Sequence, residues 1–180
     1  MRGISDNNIL DTFTLDFVDI VQKHTPYIIV SGFVAISSGR TRATEDIDMI
    51  IPRLTYAQFC VLHTALTSKF CCVQSDEPQD IYQYLVDNFS VRYTYHNQPL
   101  PEMEIKFVKD PLDEYQLQTK TKLPLTGLDI WFSSIEMNIA FKEHYLKSDK
   151  DYKDAEHLRK VYDVDELEVA KIIQLLERYR

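Results

Sequence analysis

Asp46 and Asp48, separated by Ile47 at the head of the run Asp46-Ile47-Asp48-Met49-Ile50-Ile51, are the residues of this chain best suited to chemistry. Side chains of a strand alternate between faces, so both carboxylates point one way while Ile47 and Met49 point into a core. Carboxylates held that close repel each other and are costly to keep ionised together. A hard divalent cation with oxygen ligands, chiefly Mg²⁺, removes the cost, and such ions commonly arrive with substrate phosphates. Upstream, the apolar stretch Tyr27-Ile28-Ile29-Val30 ends in Ser31-Gly32, where a missing side chain lets backbone N–H groups approach a ligand. Between the turn and the carboxylates lies the basic loop Gly39-Arg40-Thr41-Arg42. Each piece alone is ordinary: a turn, a solvated strand end, arginines paired with Glu45. In this order they suggest a metal–nucleotide site.

So arranged, the residues resemble the nucleotidyltransferase superfamily related to DNA polymerase β. Its signature is a Gly-Gly or Gly-Ser turn, a short helix, an Asp-x-Asp strand and a third acid on a later strand. Here the turn is Ser31-Gly32, which reverses the glycine-first order, and the helix is Phe33 to Ser38. Thirteen residues separate Gly32 from Asp46, a span that a helix and a tight return fill. The third acid is Glu104, in Met103-Glu104-Ile105-Lys106-Phe107, with Glu102 as the backup. The resemblance implies an α+β fold: a mixed β-sheet core with flanking helices and a C-terminal helical segment. It places a catalytic core over residues 1–133 and packs residues 134–180 on it as part of one structural unit.

Further along, Glu136, Lys142 and Lys150-Asp151-Tyr152-Lys153-Asp154 are similar to the C-terminal helical motifs of abortive-infection toxin nucleotidyltransferases and their small prokaryotic relatives. By that likeness Lys142 faces a triphosphate, and Asp154 or Asp151 holds the lysine or the nucleotide. The Gly39–Asp48 stretch also resembles the aminoglycoside-modifying branch. These resemblances imply transfer of an NMP from an NTP to an acceptor hydroxyl, with pyrophosphate released. Asp46, Asp48 and Glu104 would hold two Mg²⁺ ions, or Mn²⁺, and Glu104 is the candidate proton acceptor. Ser31 and Gly32 would cradle phosphate, while Arg40, Arg42 and Lys142 neutralise its charge. The acceptor stays open among RNA or tRNA, a protein and a small molecule, and the protein partner is an antitoxin or a second copy. A non-catalytic nucleotide-binding module on the same fold is the competing reading.

Composition bounds these alternatives. With 180 residues, 44% of them hydrophobic, the chain suits one globular unit with a proper core. A formal net charge of −8 favours a small or transiently held acceptor over a long duplex, although Arg40, Arg42 and Arg53 give local basic character. Asp76, Glu77, Asp80 and Asp87 could line an aminocyclitol pocket or form an ordinary solvated face. No run has the length of a membrane span and no signal pattern opens the chain, so a cytoplasmic location without membrane contact is expected. The three cysteines read as buried thiols of a reducing compartment, and the five histidines lack metal-ligand spacing.

The positioning elements follow from periodicity. Leu10, Phe13, Phe17, Ile20 and Val21 predict an amphipathic helix over 9–23, closed by Pro26. Strands are expected at Tyr27–Val30, at Asp46–Ile51 with Pro52 as its stop, and at Phe70–Gln74. Thr55 should cap a helix to about Lys69, with a shorter helix near Ile81–Asp87. Phe89–Tyr95, with Phe89, Val91, Tyr93 and Tyr95 on one face, should pair antiparallel with Met103–Val108. Leu123–Leu125 and Leu128–Phe132 read as small strands around Gly127. Ser133 or Ser134 should cap a helix to about Leu146, with Glu136 in capping-box style. Another helix follows Asp149, and a third, Val164–Arg180, carries a stripe of Leu167, Ala170, Ile173 and Leu176.

Overall fold

Helix α1 (Ile9–Val21) begins at a reciprocal cap: the Asn8 side chain accepts from the Asp11 N–H, and Asp11 accepts from that of Asn8. It opens the part of the chain described by the computed structural model, residues 8–180. Strand β1 (Ile28–Val30), helix α2 (Gly32–Ser37) and strand β2 (Asp46–Ile51) follow, with β2 stopping at Pro52. Thr55 and Gln58 form the capping box of α3 (Tyr56–Leu66). Next come β3 (Phe70–Cys72), α4 (Pro78–Val86), β4 (Val91–Tyr95) and β5 (Glu102–Phe107). The remainder is helical: α5 (Pro111–Gln118), α6 (Ile135–Phe141), a π-helical turn over Lys142–Leu146, α7 (Asp149–Val161) and α8 (Glu166–Tyr179). Among the described residues no helix is long and apolar enough to cross a membrane.

The five strands form one mixed sheet in the order β1-β2-β5-β4-β3, in which β2 and β5 run parallel and the other pairs antiparallel. One face is the main core. Ile47, Met49 and Ile51 of β2 and Met103, Ile105 and Phe107 of β5 point into it and are at most 2% exposed. Phe13 and Phe17 of α1 meet Phe70 of β3 there, at ring separations of 5.7 and 4.8 Å. The opposite face carries the alternate residues: Asp46, Asp48 and Ile50 on β2, Glu102, Glu104 and Lys106 on β5. At one end of it Ile28, Val30, Ile50 and Val108 form a small apolar cluster under Leu117 of α5.

Several expectations shift. The segment 123–132 is not a pair of strands. Pro124 lacks an N–H and Gly127 takes a left-handed φ of 71°, so a 3₁₀ turn forms over Pro124–Thr126. Only Phe132 keeps a strand-like role, bridging Ile29 at the β1 edge and Thr121. Phe89 lies outside β4 and is 62% exposed. Helix α5 has weak apolar periodicity, and its local signal is Asp110-Pro111, with Asp110 accepting from the Asp113 N–H. Ser134, not Ser133, caps α6, and Glu136 accepts from the Asp165 N–H instead of closing a capping box.

The α8 stripe is rotated from its expected position. Leu167 is 84% exposed, and the buried line is Val169, Ile172 and Leu176, each contributing roughly 1.5–3 kcal/mol of burial. A repeat of three residues drifts around a helix, whereas steps of three and four stay on one face. Of the cysteines, Cys72 is buried, but Cys60 and Cys71 are half-exposed.

Candidate active site

The parallel register of β2 and β5 builds the acidic cluster. Asp48 lies opposite Glu104 and Asp46 opposite Glu102, so two alternating strands bring their acids to one face. Ligand oxygens of Asp46, Asp48 and Glu104 all lie within 4.8 Å of one another, and among the described residues no other trio of acids, histidines or cysteines is so arranged. Each is aimed by its surroundings. The Thr44 hydroxyl donates to Asp46 at 2.7 Å, and the Ser90 hydroxyl donates to Glu104 at 2.6 Å. Glu102, the backup, is instead paired with Arg92 at 3.4 Å.

Burial, reinforced by the charges of Glu104 and then Asp46, pushes the Asp48 carboxyl up to about 6, while Ser31 and Lys106 partly oppose the rise. Three clustered carboxylates, one of them raised by burial and by its acidic neighbours, are a hard-oxygen donor set that a divalent cation of the Mg²⁺ or Mn²⁺ kind fits.

Ser31 sits at the hinge between β1 and α2 with φ 68° and ψ −139°, backbone space that glycine enters freely and other residues enter at a cost of about 1–3 kcal/mol. That is the physical consequence of the reversed Ser-Gly order. It directs the serine side chain toward Asp48. Ser31→Gly is expected to raise stability by about 1 kcal/mol in denaturant unfolding, the relieved strain being offset in part by glycine's unfolded-state entropy. An unchanged or lower midpoint would show that the conformation is not strained.

Gly32 has a different constraint. A Cβ there would lie 2.2 Å from Nη2 of Arg42, so the guanidinium occupies the space next to the turn. Arg42 is held by Asp154, which its Nε and Nη2 meet at 3.2 and 3.1 Å. Arg40 Nε and Lys142 Nζ approach the same carboxylate, at 3.3 and 3.0 Å. Asp151, the acid of the Ser148 capping box on α7, lies 3.6 Å from Lys142. Three cations thus face two carboxylates, with Asp154 fully buried and the Lys142 side chain 2% exposed. His157 and Tyr162 add contacts to Ser38, at 3.0 and 2.9 Å, and so lock α7 and the residue after it to the end of α2.

The structure therefore brings Asp48, Glu104, Ser31 and Lys142 around one cleft, with Asp46 beside its two acids, and sets Gly32, Arg40, Arg42 and Asp154 in the cluster behind it. Arg40 and Arg42 pair with Asp154, not with Glu45. Asp80 and Asp87 line a separate groove with Tyr84 and Phe89, away from the residues of this cleft.

The fold of the described residues is similar to that of several solved structures. An antigenic nucleotidyltransferase-like protein from Paracoccidioides brasiliensis aligns at TM-score 0.55 and 18% identity, over 94% of this chain and 87% of that one. The solution structure of the antibiotic-resistance factor ANT(2'')-Ia aligns at TM-score 0.55 and 12% identity, over 93% and 90%. Its crystal structure with adenylyl-2''-tobramycin aligns at 0.54 and 14%, over 95% and 97%. This is a nucleotidyltransferase fold. No protein-family profile and no curated protein sequence matches the chain. A nucleotidyltransferase fold alone does not fix the chemistry, which lies in the side chains of the site.

Sequence reasoning missed part of the cleft. Lys106 was within reach, because it lies two residues from Glu104 on the same strand face. Asn138 was too, one helical turn before Lys142. Tyr145 and Leu146 reach the cleft through the π-helical turn, where the Lys147 N–H bonds to the Lys142 carbonyl, and no helical repeat places them there.

Proposed function

We propose that this chain is a Mg²⁺-dependent nucleotidyltransferase, moving an NMP from an NTP to an acceptor hydroxyl with release of pyrophosphate. The observation that carries the proposal is the cluster of Asp46, Asp48 and Glu104 carboxylates at a cleft that Asp48 and Glu104 line together with Ser31 and Lys142. Asp46, Asp48 and Glu104 would hold two divalent ions. When bound, such ions lower the pKa of the attacking hydroxyl and neutralise charge on the phosphates. Ser31 would donate to a phosphate oxygen from the strained turn. Arg42 against Gly32, together with Arg40 and Lys142, would place positive charge where the triphosphate lies, with Asp154 fixing their positions. Glu104, oriented by Ser90, would accept the proton of the acceptor hydroxyl. In this reading residues 1–133 carry the chemistry and 134–180 close over the nucleotide.

For the acceptor we favour a small hydroxyl-bearing molecule. The net charge of −8 weighs against a long polyanion, and ANT(2'')-Ia, of similar fold, has been solved with adenylyl-2''-tobramycin. Pyrophosphate release, measured with each NTP and Mg²⁺ against an aminoglycoside mixture or total RNA, tests both parts. Release with the aminoglycosides that is absent from an Asp46→Asn/Asp48→Asn double variant supports the reading. Release with RNA alone would replace the acceptor class. NTP binding without release from either acceptor would favour a binding module.

A further inference from the structure

The cleft beside the carboxylates has a volume of about 180 Å³ and apolar walls from Val30, Ile50, Met137 and Phe141. Two side-chain amides, Gln116 and Asn138, interrupt those walls, and both are almost completely buried. Their orientation is dictated from behind. Gln116 donates its Nε2 to Asp113 Oδ1 at 3.3 Å. That carboxylate can only accept, and it already takes the Arg180 Nη2–H at 2.9 Å and the Lys109 N–H at 3.2 Å. The nitrogen end of Gln116 must therefore face Asp113. Asn138 Nδ2 donates to the Ser134 carbonyl at 2.8 Å and lies 2.7 Å from the Ser133 hydroxyl, with the Ser133 carbonyl at 3.3 Å. Carbonyl oxygens cannot donate, so this nitrogen end is fixed as well.

What remains for the cleft is the Asn138 oxygen and, on Gln116, the oxygen together with the one N–H that Asp113 does not take. Neither Gln116 Oε1 nor Asn138 Oδ1 accepts a hydrogen bond among the described residues, and neither is a sealed, unpartnered atom. The nearby ammonium groups stand by the acids instead: Lys142 meets Asp154 at 3.0 Å, and Lys106 lies close enough to Asp48 to favour its ionised form. The part of the cleft bounded by the two amides thus offers a ligand two acceptor oxygens of fixed orientation, with one Gln116 N–H beside them. An apolar slot with fixed acceptors takes a flat heterocycle that carries N–H donors, and disfavours one that presents a carbonyl at the same place.

We infer that Gln116 and Asn138 select the nucleobase: an amino-bearing pairing edge, as in adenine or cytosine, is preferred to the corresponding carbonyl edge of hypoxanthine or uracil. The inference rests on the nucleotide reading above, since triphosphate at Ser31 and Lys142 directs the base into this slot. Asp113 and Arg180 then act as positioning residues, because they hold the Gln116 amide in one orientation.

The test is the affinity of the full-length protein for ATP, ITP, CTP and UTP with Mg²⁺, in wild type and Gln116→Met. The ATP/ITP and CTP/UTP pairs each exchange an exocyclic amino group for a carbonyl and, with it, the neighbouring ring-nitrogen acceptor for a single N–H, so the carbonyl member brings one donor where the amino member brings two. Wild type is expected to favour the amino-bearing member of both pairs by about tenfold or more, since the carbonyl member leaves a buried acceptor unpaired. Gln116→Met keeps the volume and leaves Asp113 with its Arg180 and Lys109 donors, so it should fold and lose most of that preference. Ratios near one in wild type, or ratios unmoved by Gln116→Met, would overturn base selection while leaving nucleotide binding intact. The wild-type ratios decide the matter even if the variant does not fold. Failure of all four nucleotides to bind would overturn the nucleotide reading itself, and this inference with it.

Discussion

Asp48→Asn is expected to reduce transfer to background while making the metal-free protein more stable at neutral pH. Asp48 is partly enclosed beside Glu104 and Asp46, and its carboxyl is pushed up to about 6 from an ordinary 3.8, by burial first and by those two charges next. A raised acid pKa means that the folded state holds the proton where the unfolded chain has released it. Stability from this group is therefore lost as pH rises from about 4 through 6, and the full penalty, on the order of 3 kcal/mol, applies above that window. Asparagine never carries the charge, so the variant should unfold at higher denaturant than wild type at pH 7.5 and match it near pH 4. Mg²⁺ should narrow the difference by stabilising wild type alone. A variant that is less stable at pH 7.5, or that retains transfer, would show that Asp48 is not a repelled carboxylate at a metal site.

Removing the charge of Asp154 should have the opposite effect on folding. In Asp154→Asn, Arg40, Arg42 and Lys142 lose the buried carboxylate they share, and Asp151 is left as the lysine's acidic neighbour. Deleting one partner from a buried ionic cluster costs about 3–5 kcal/mol, much of it from the unpaired charge left behind. For a chain of this size that corresponds to a fall in Tm of roughly 10 °C. Lys142→Met in the same background should recover part of the loss, because it removes a cation that no longer has its closest acid. The Arg40–Arg42 loop depends on the same carboxylate, so NTP affinity should fall alongside stability. An unchanged Tm would mean that the cluster contributes little to holding α7 against the basic loop.

The legible parts of this protein are those governed by local period. Asp46 and Asp48 share a face because strand side chains repeat every two residues, and the same rule puts Glu104 and Lys106 together on β5. The Thr55 and Ser134 caps were readable because each side chain bonds to a backbone N–H within its own first turn. That Asp48 stands opposite Glu104 depends on the parallel register of two strands far apart in sequence, which alternation alone does not set.

The pairing of Arg42 with Asp154 spans 112 positions and could only be approached through the resemblance of the C-terminal motif. Gln116 belongs to a helix whose pattern is weak, and its orientation comes from Arg180 at the far end of the chain through Asp113. The Ser31 conformation was not readable either, since a serine there gives no local sign that the backbone enters glycine's territory.

In the proposed site, Asp46, Asp48 and Glu104 hold the divalent metal through which an NTP is presented to the cleft. The most direct measurement is a calorimetric titration of ATP into the wild-type protein and Asp48→Asn, each with Mg²⁺ and with EDTA. Binding by wild type only when Mg²⁺ is present, and none by the variant, is the predicted result. Equal binding in EDTA, or undiminished binding by Asp48→Asn, would contradict it.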